Sequence, residues 1–314
     1  GTLDLLVALA EQQRVAEALR AQQAGAIVNP TEGRAALHTA LRAPRDARIE
    51  VDGHDVVPAV HAVLDAIRTF AAAVRDGSHR GATGERIRTV VHVGIGGSHL
   101  GPEMVTTALR PYVDPGLTVR FVSNVDAADL QRALTGLDPA STLCIVASKT
   151  FTTAETMANA RAVRGWLVDA LGEAAVAQHV VALSSDPDAA AAFGVDPART
   201  FGFWDWVGGR FSVSSAIGLP VMLAIGPDAF DELLAGMRAM DEHTVTAPLD
   251  RNLPVLLALT DVWNADLEEM ASRAVIPYAS DLARFPAFLQ QLEMESNGKS
   301  VDEDGAPEIG RAHV

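Results

Sequence analysis

The chain has 314 residues, of which 48% are hydrophobic and 21% are charged, as in folded proteins with about two domains. Its formal net charge of -15 excludes nucleic acid and anionic membranes as expected partners. No apolar run reaches the length of a membrane span, and the single Cys144 excludes a disulfide framework or a CxxC metal site. These features favour a cytoplasmic protein.

The first predicted elements are helical. Apolar residues recur at helical spacing over 3–19, and a second helix is predicted over 34–42. Asp52-Gly53 is typical of a tight turn, and a third helix is predicted to follow it, from about residue 58 to 70. Because the chain opens on Gly1 rather than Met, we expect the native N-terminus to be missing.

A glycine-rich loop follows the first clear strand. The strand is predicted over 88–93, the loop covers 94–102 (GIGGSHLGP), and a helix is predicted over 103–109. Strand, glycine loop and helix in this order let the backbone approach a ligand closely. A dinucleotide fingerprint would need glycine at the position of His99, and the sequence has no GxxxxGK[ST] loop. The loop therefore indicates a ligand site that is neither of these two types.

A second loop is rich in hydroxyl groups. An apolar strand over 143–147 runs into Ser148, Lys149, Thr150 and Thr153, and a helical pattern follows through residue 167. A strand that ends at the foot of a helix points unpaired N–H groups and the positive end of the dipole at a ligand. The hydroxyls could merely cap the helix, but a cap needs only one or two of them. The pattern favours a phosphate site.

The first half of the chain alternates strands with helices. Further strands are predicted over 119–123 and 180–183, each followed by a helix. Such alternation predicts a parallel sheet with helices on both faces, and ligands at the carboxyl ends of its strands. Both loops lie at such ends, so we expect them to share one site. Helices predicted over 214–225, 228–243 and 254–270 follow.

Two charged residues of the second half are candidates for chemistry. Two glycines precede Arg210, so the backbone there can pass close to another group while the guanidinium offers a planar, permanently charged fork. Glu295 ends an apolar helical pattern and precedes Ser-Asn-Gly. A desolvated carboxylate in such a setting can have a raised pKa suited to a general base. Most glutamates are solvated, so this second indication is weak by itself.

Four motifs in order resemble the glucose-6-phosphate isomerase family. They are residues 94–102 (GIGGSHLGP), 148–153 (SKTFTT), 203–210 (FWDWVGGR) and 294–299 (MESNGK), and the resemblance extends to 29–42 and 123–126. It implies an α/β fold: a doubly wound parallel sheet (SIS domain, three-layer αβα) with flanking helices and the truncated start of a second SIS domain. It also implies reversible isomerisation of glucose 6-phosphate and fructose 6-phosphate through a cis-enediolate, in a cytoplasmic homodimer that needs no metal or cofactor.

The same resemblance assigns roles to individual residues. Glu295 would be the general base that moves a proton between C2 and C1, and Arg210 would stabilise the enediolate. The residues implied to hold the sugar phosphate are Ser148, Lys149, Thr150 and Thr153. Those implied to border or contact the sugar are Gly97, Ser98, Gly209 and Gln291.

The resemblance also implies a domain division and a departure. The expected domains are a helical arm at 1–45, a first SIS domain at 46–226, the truncated start of a second at 227–307, and a non-native tail at 308–314 that resembles a translated sequencing adapter. A Gly-Thr-Asn-Gly-Gln-His segment with a ring-opening histidine, and a later catalytic lysine, are typical of the family and absent here. The chain as written is therefore expected to be inactive, with exposed apolar helix faces.

Two other functions are compatible with parts of the pattern. A catalytically silent sugar-phosphate-binding module of the SIS type would keep the hydroxyl loop but would have no use for Glu295 with Arg210. A nicotinamide-dependent dehydrogenase is disfavoured by the incomplete glycine fingerprint.

Overall fold

The computed structural model describes residues 1–28, 30, 32–298, 300–301 and 305–307. The chain forms two compact units, one of residues 1–58 with 232–276 and one of residues 59–231 with 277–314. The division expected at residues 45, 226 and 307 stays a prediction. The tail at 308–314, together with Asn29 and Lys299 of the family motifs, lies outside the described residues.

The first unit is mostly helical. Helices α1 (Thr2–Gln12) and α2 (Val15–Gln23) precede a hairpin of β1 (Glu50–Val51) and β2 (His54–Asp55). Asp52 and Gly53 both have positive φ, which confirms the predicted tight turn. Ala10 of α1 packs in one apolar cluster with Val255 and Leu259.

Two helices predicted in this unit are shorter than expected. Only a 3₁₀ turn forms at His38–Arg42, and Leu37 and Leu41 are buried there. The helix predicted over 254–270 is α11 (Leu253–Val262), which continues as a π-turn at Trp263–Leu267 and then stops. Acidic residues crowd its carboxyl end, where the helix dipole disfavours negative charge. Leu253 and Leu257 of α11 are exposed.

The second unit contains the predicted parallel sheet. Its strands are β3 (Thr89–Val93), β4 (Thr118–Val122), β5 (Thr142–Ala147), β6 (Val180–Leu183) and β7 (Thr200–Phe201). All pairs are parallel, in the order β4-β3-β5-β6-β7. Every residue of β5 is buried, as a continuous apolar strand covered on both faces requires. The two-residue β7 was not predicted because it is too short to show a pattern.

Helices cover the sheet on both faces. They are α3 (Val57–Asp76), α4 (Leu100–Ala108), α5 (Ala127–Leu134), α6 (Ala154–Leu171), α7 (Val176–His179), α8 (Pro187–Ala192) and α9 (Leu219–Ile225). Helix α12 (Phe285–Leu289) packs against α4, and α10 (Pro227–Thr246) connects the units along the chain. Cys144 and Val146 face the cluster that includes α5 and α6. Leu143 and Ile145, which alternate with them, are equally buried. The predicted doubly wound fold is thus confirmed.

Two local features bear on function. Burial raises the pKa of the Cys144 thiol to about 12, which makes it inert.

Among the described helices, α3 has the length and composition of a membrane span. A core helix passes the same test, and Val60, Ile67 and Val74 of α3 are buried in the unit.

The strand order places a crevice between β3 and β5. From β3 the chain moves outward to β4 and then returns past β3 to β5, so the connections diverge at this point. Val93 at the end of β3 pairs with Val146 near the end of β5. The glycine loop and the hydroxyl loop therefore begin side by side, at the position where ligands bind in open α/β sheets.

Candidate active site

The hydroxyl loop leaves the amino end of α6 open. Thr153 is the residue before the helix, yet within the described chain its side chain makes no capping hydrogen bond. Instead the buried Ser148 hydroxyl donates to Thr153 Oγ1 over 3.3 Å. The first N–H groups of an 18-residue helix thus keep their capacity to donate to a ligand. Thr153 therefore does not cap α6 with its side chain, and the phosphate site stays a prediction.

The remaining groups of this loop are fixed by neighbours. Lys149 Nζ lies 3.0 Å from Asp205 Oδ1 and 3.1 Å from the Asp205 carbonyl oxygen. The Lys149 charge is therefore shared with Asp205, whose neighbours in the chain, Trp204 and Trp206, stack their rings with centroids 5.0 Å apart. Thr150 is exposed, and its hydroxyl is 2.6 Å from that of Thr152.

Two serines that sequence reasoning missed support the loop. Ser184 and Ser185 follow β6, and both hydroxyls donate to the Lys149 carbonyl oxygen, over 2.9 Å and 2.7 Å. The sequence could have indicated these serines, because they directly follow a strand of the predicted sheet. Residues that follow neighbouring parallel strands lie at the same edge of the sheet.

The glycine loop touches the segment before Arg210 directly. A Cβ atom added to Gly97 would lie 2.0 Å from the Gly209 carbonyl oxygen, so only glycine permits this approach of two backbones. The Ser212 hydroxyl donates to the same carbonyl oxygen over 2.7 Å. The glycines before Arg210 were predicted to let the backbone pass close to another group. That group is the glycine loop.

Arg210 joins this contact to the segment that carries Glu295. Its Nη1 donates to Asn297 Oδ1 over 2.6 Å and also to the Leu292 carbonyl oxygen. Burial lowers the pKa of the guanidinium from its ordinary value, and the nearby Glu295 carboxylate opposes that shift. Arginine stays protonated in proteins, so a fixed positive charge lies beside Glu295.

Gln291 and Glu295 lie on one π-helical turn, Gln290–Glu295, that continues α12. Such turns are rare and often occur at functional sites. Gln291 reaches the glycine loop, since a Cβ atom on Gly96 would lie 2.7 Å from its Nε2. Its buried Oε1 has no hydrogen-bond partner among the described residues, which leaves an acceptor for a ligand hydroxyl. Glu295 is exposed, so the desolvated setting predicted for it is not found here.

Ser98 is held by a buried histidine of β3. His92 Nε2 lies 2.6 Å from the Ser98 carbonyl oxygen, so this nitrogen carries the proton and donates. Burial lowers the pKa of His92 to about 4, although the bond to Ser98 opposes the shift. His92 is therefore a neutral donor that fixes the end of the glycine loop at physiological pH.

The structure thus brings the predicted residues to one edge of the sheet. Within the described ranges, no three His, Cys, Asp or Glu side chains gather into a group that could hold a metal ion. That the chemistry needs no metal or cofactor stays a prediction.

Comparison with known proteins decides the family. The family model described as phosphoglucose isomerase matches residues 1–310. The chain belongs to the phosphoglucose isomerase family. It is 61% identical over 310 residues to the glucose-6-phosphate isomerase of Anaeromyxobacter dehalogenans, covering 98% of this chain and 56% of that protein. The corresponding protein of Rhodococcus opacus is 59% identical over 308 residues, with the same shares covered.

A solved structure of the family agrees with the fold. The crystal structure of a glucose-6-phosphate isomerase from Chlamydia trachomatis superposes with a TM-score of 0.87 at 34% identity, covering 98% of this chain and 58% of that one. The chain spans about half the length of the curated relatives that it matches.

We predict that the contact between Gly97 and Gly209 tolerates a side chain at Gly209 but not at Gly97. Gly97→Ala should lower the free energy of unfolding by about 1–3 kcal/mol, because the methyl group would overlap the Gly209 carbonyl oxygen. Gly209→Ala is the matched control: no described atom lies within 4 Å of its added Cβ, so the change should stay within about 0.5 kcal/mol. Urea unfolding measures both, and equal effects would contradict the geometry.

We also predict a pH dependence of stability from His92. Its pKa is about 4 in the fold and 6.5 ordinarily, so the unfolded chain binds the proton first as pH falls. Stability is thus lost from about pH 6.5 down to about pH 4, by about 2 kcal/mol between pH 7 and pH 5. His92→Asn keeps a donor but does not titrate, so its free energy of unfolding should fall less over this interval. Parallel curves for the two proteins would exclude the assignment.

Proposed function

We propose that this chain carries the sugar-phosphate site and the proton-transfer residues of a glucose-6-phosphate isomerase. The observation that carries the proposal is the convergence, in a chain of this family, of the open α6 end, the glycine loop and Arg210 with Glu295. The substrates would be glucose 6-phosphate and fructose 6-phosphate. We further propose a cytoplasmic homodimer for the full-length enzyme, on family grounds alone.

The phosphate would bind at the foot of α6. The hydroxyls of Ser148, Thr150 and Thr153 and the first N–H groups of the helix would donate to its oxygens, and the helix dipole favours its charge. Lys149 already neutralises Asp205, so its role would be to keep the loop attached to residues 204–206 as well as to attract the phosphate.

The sugar would extend from the phosphate towards the glycine loop. There Gln291 Oε1, which has no hydrogen-bond partner among the described residues, can accept a hydrogen bond from a sugar hydroxyl near Gly96. Glu295 shares the π-turn of Gln291, so this direction would bring the reacting carbons towards Glu295 and towards Arg210, which binds the same segment.

Proton transfer would then use a single carboxylate. Glu295 would remove the proton from C2 of the open-chain aldose and return it to C1. In the cis-enediolate between these steps O1 and O2 would share one negative charge, and the proton of the O2 hydroxyl would pass to O1. Arg210, fixed by Leu292 and Asn297, would place its charge beside that developing anion without reorganisation. Bound substrate would also exclude water from Glu295, which the chain alone leaves exposed.

The test uses a full-length graft. Residues 1–307 replace the matching stretch of the Anaeromyxobacter dehalogenans isomerase, and the conversion of fructose 6-phosphate to glucose 6-phosphate is measured. Glu295→Gln should lower kcat by about 10²- to 10⁴-fold and leave KM within about twofold, because the amide keeps an acceptor for the Ser296 hydroxyl. Glu293→Gln, on the same turn, is the control and should retain activity.

Two results would contradict the proposal. One is a graft that binds fructose 6-phosphate without turnover, which would favour the silent binding module. The other is a Glu295→Gln graft that keeps more than half of the rate, which would remove Glu295 from proton transfer.

A further inference from the structure

A polar cluster outside the assigned site lies where the glycine loop becomes α4. His99 directly follows Ser98 and is buried, and its Nε2 lies 3.2 Å from Glu103 Oε2. Arg284 donates to the same oxygen through Nε over 2.7 Å and through Nη2. One carboxylate oxygen of α4 thus joins the end of the glycine loop to the residue before α12.

Glu103 is held in its charged form. Its side chain is only 20% exposed. Burial raises the pKa of this carboxyl, but the hydrogen bonds from His99 and Arg284 outweigh it, so that the pKa lies below its ordinary value. Glu103 is therefore an ionised, largely buried anchor at neutral pH, and loss of its charge would leave Arg284 without that partner.

The anchored segment is the one that carries Gln291 and Glu295. Arg284 immediately precedes α12, and α12 runs into the π-turn without a break. Phe288 of α12 packs towards α4, since its ring lies 3.7 Å from the position of a Cβ atom on Gly101. At the other end of the segment, Arg210 binds Leu292 and Asn297. Glu103 thus holds the beginning of the segment and Arg210 its end.

The anchor also fixes His99. Its Nδ1 is buried and lacks a hydrogen-bond partner in the described part of the chain, so the contact with Glu103 sets the orientation of the imidazole. His99 packs edge-on against Phe121 of β4, as His92 does. A shift of Glu103 would therefore be transmitted to both the start of α12 and the end of the glycine loop.

We propose that Glu103 is a positioning residue for the isomerisation: by binding His99 and Arg284 together, it sets the distance between the sugar-binding glycine loop and the segment that presents Glu295. The proposal rests on the proposed function. An error of about 1 Å in the placement of a catalytic group can cost about 10²-fold in rate, so the anchor acts on turnover rather than on phosphate binding.

The kinetic test uses the full-length graft with Glu103→Gln, which keeps the shape but removes the charge. We expect kcat to fall at least about 10-fold, KM for fructose 6-phosphate to stay within about twofold, and the pH profile to keep its shape. Arg284→Met should match this loss, Arg284→Lys should restore part of it, and the double variant Glu103→Gln with Arg284→Met should be no worse than either single variant.

The matched control is Glu173→Gln, which removes a carboxylate partner of Arg164 in the same unit but away from both loops. It should leave kcat unchanged. An unchanged kcat in Glu103→Gln, or a fall that merely tracks the fraction of unfolded enzyme, would overturn the positioning role. Loss of one limb of the pH profile would also overturn it, because Glu103 would then transfer protons itself.

A second readout is independent of activity. In the 314-residue chain, hydrogen exchange of the amides of residues 285–295 should become faster in Glu103→Gln and not in Glu173→Gln. Unchanged exchange would refute the anchor even if the graft proved inactive. An inactive wild-type graft combined with faster exchange would refute the proposed function and leave the anchor supported.

Discussion

The site depends on one close approach between two stretches of backbone. Gly97 lies so near the Gly209 carbonyl oxygen that a Cβ atom would overlap it at 2.0 Å. This contact holds the glycine loop after β3 against the segment before Arg210, although the two are far apart in the chain. Arg210 then binds Leu292 and Asn297, so the place of Glu295 follows from the same contact.

The electrostatics of the two halves of the site differ. At the hydroxyl loop, partial charges of backbone N–H groups dominate, because Lys149 is paired with Asp205 and Thr153 leaves the helix end open. Near Glu295 the dominant charge is the permanent one of Arg210. A phosphate needs many donors around a fixed anion, whereas a transient enediolate needs a charge already in place. The donors around the end of α6 and the charge of Arg210 would suit these two needs in the proposed site.

Much of this architecture could be predicted from the sequence. Strand β5 is apolar from Leu143 to Ala147, so its burial could be predicted from the sequence. The phosphate site at the hydroxyls that follow it stays a prediction. The contact between Gly97 and Gly209 could not be predicted, because spacing along the chain does not show which backbones meet. The π-turn that contains Gln291 and Glu295 could not be predicted, because its apolar residues have the same spacing as in an α-helix. The exposure of Glu295 could not be predicted either, because it depends on the tertiary surroundings. The contacts of Glu103 with His99 and Arg284 could not be predicted either, since a glutamate in a helix is usually solvated.

A crystal structure of this chain with fructose 6-phosphate would show directly where the phosphate binds. We expect phosphate oxygens at about 2.7–3.0 Å from the hydroxyls of Ser148 and Thr153, with the sugar directed towards Gln291 and Arg210. Phosphate bound elsewhere, for example on surface arginines with the end of α6 unoccupied, would contradict the assignment of the hydroxyl loop and with it the proposed path from phosphate to Glu295.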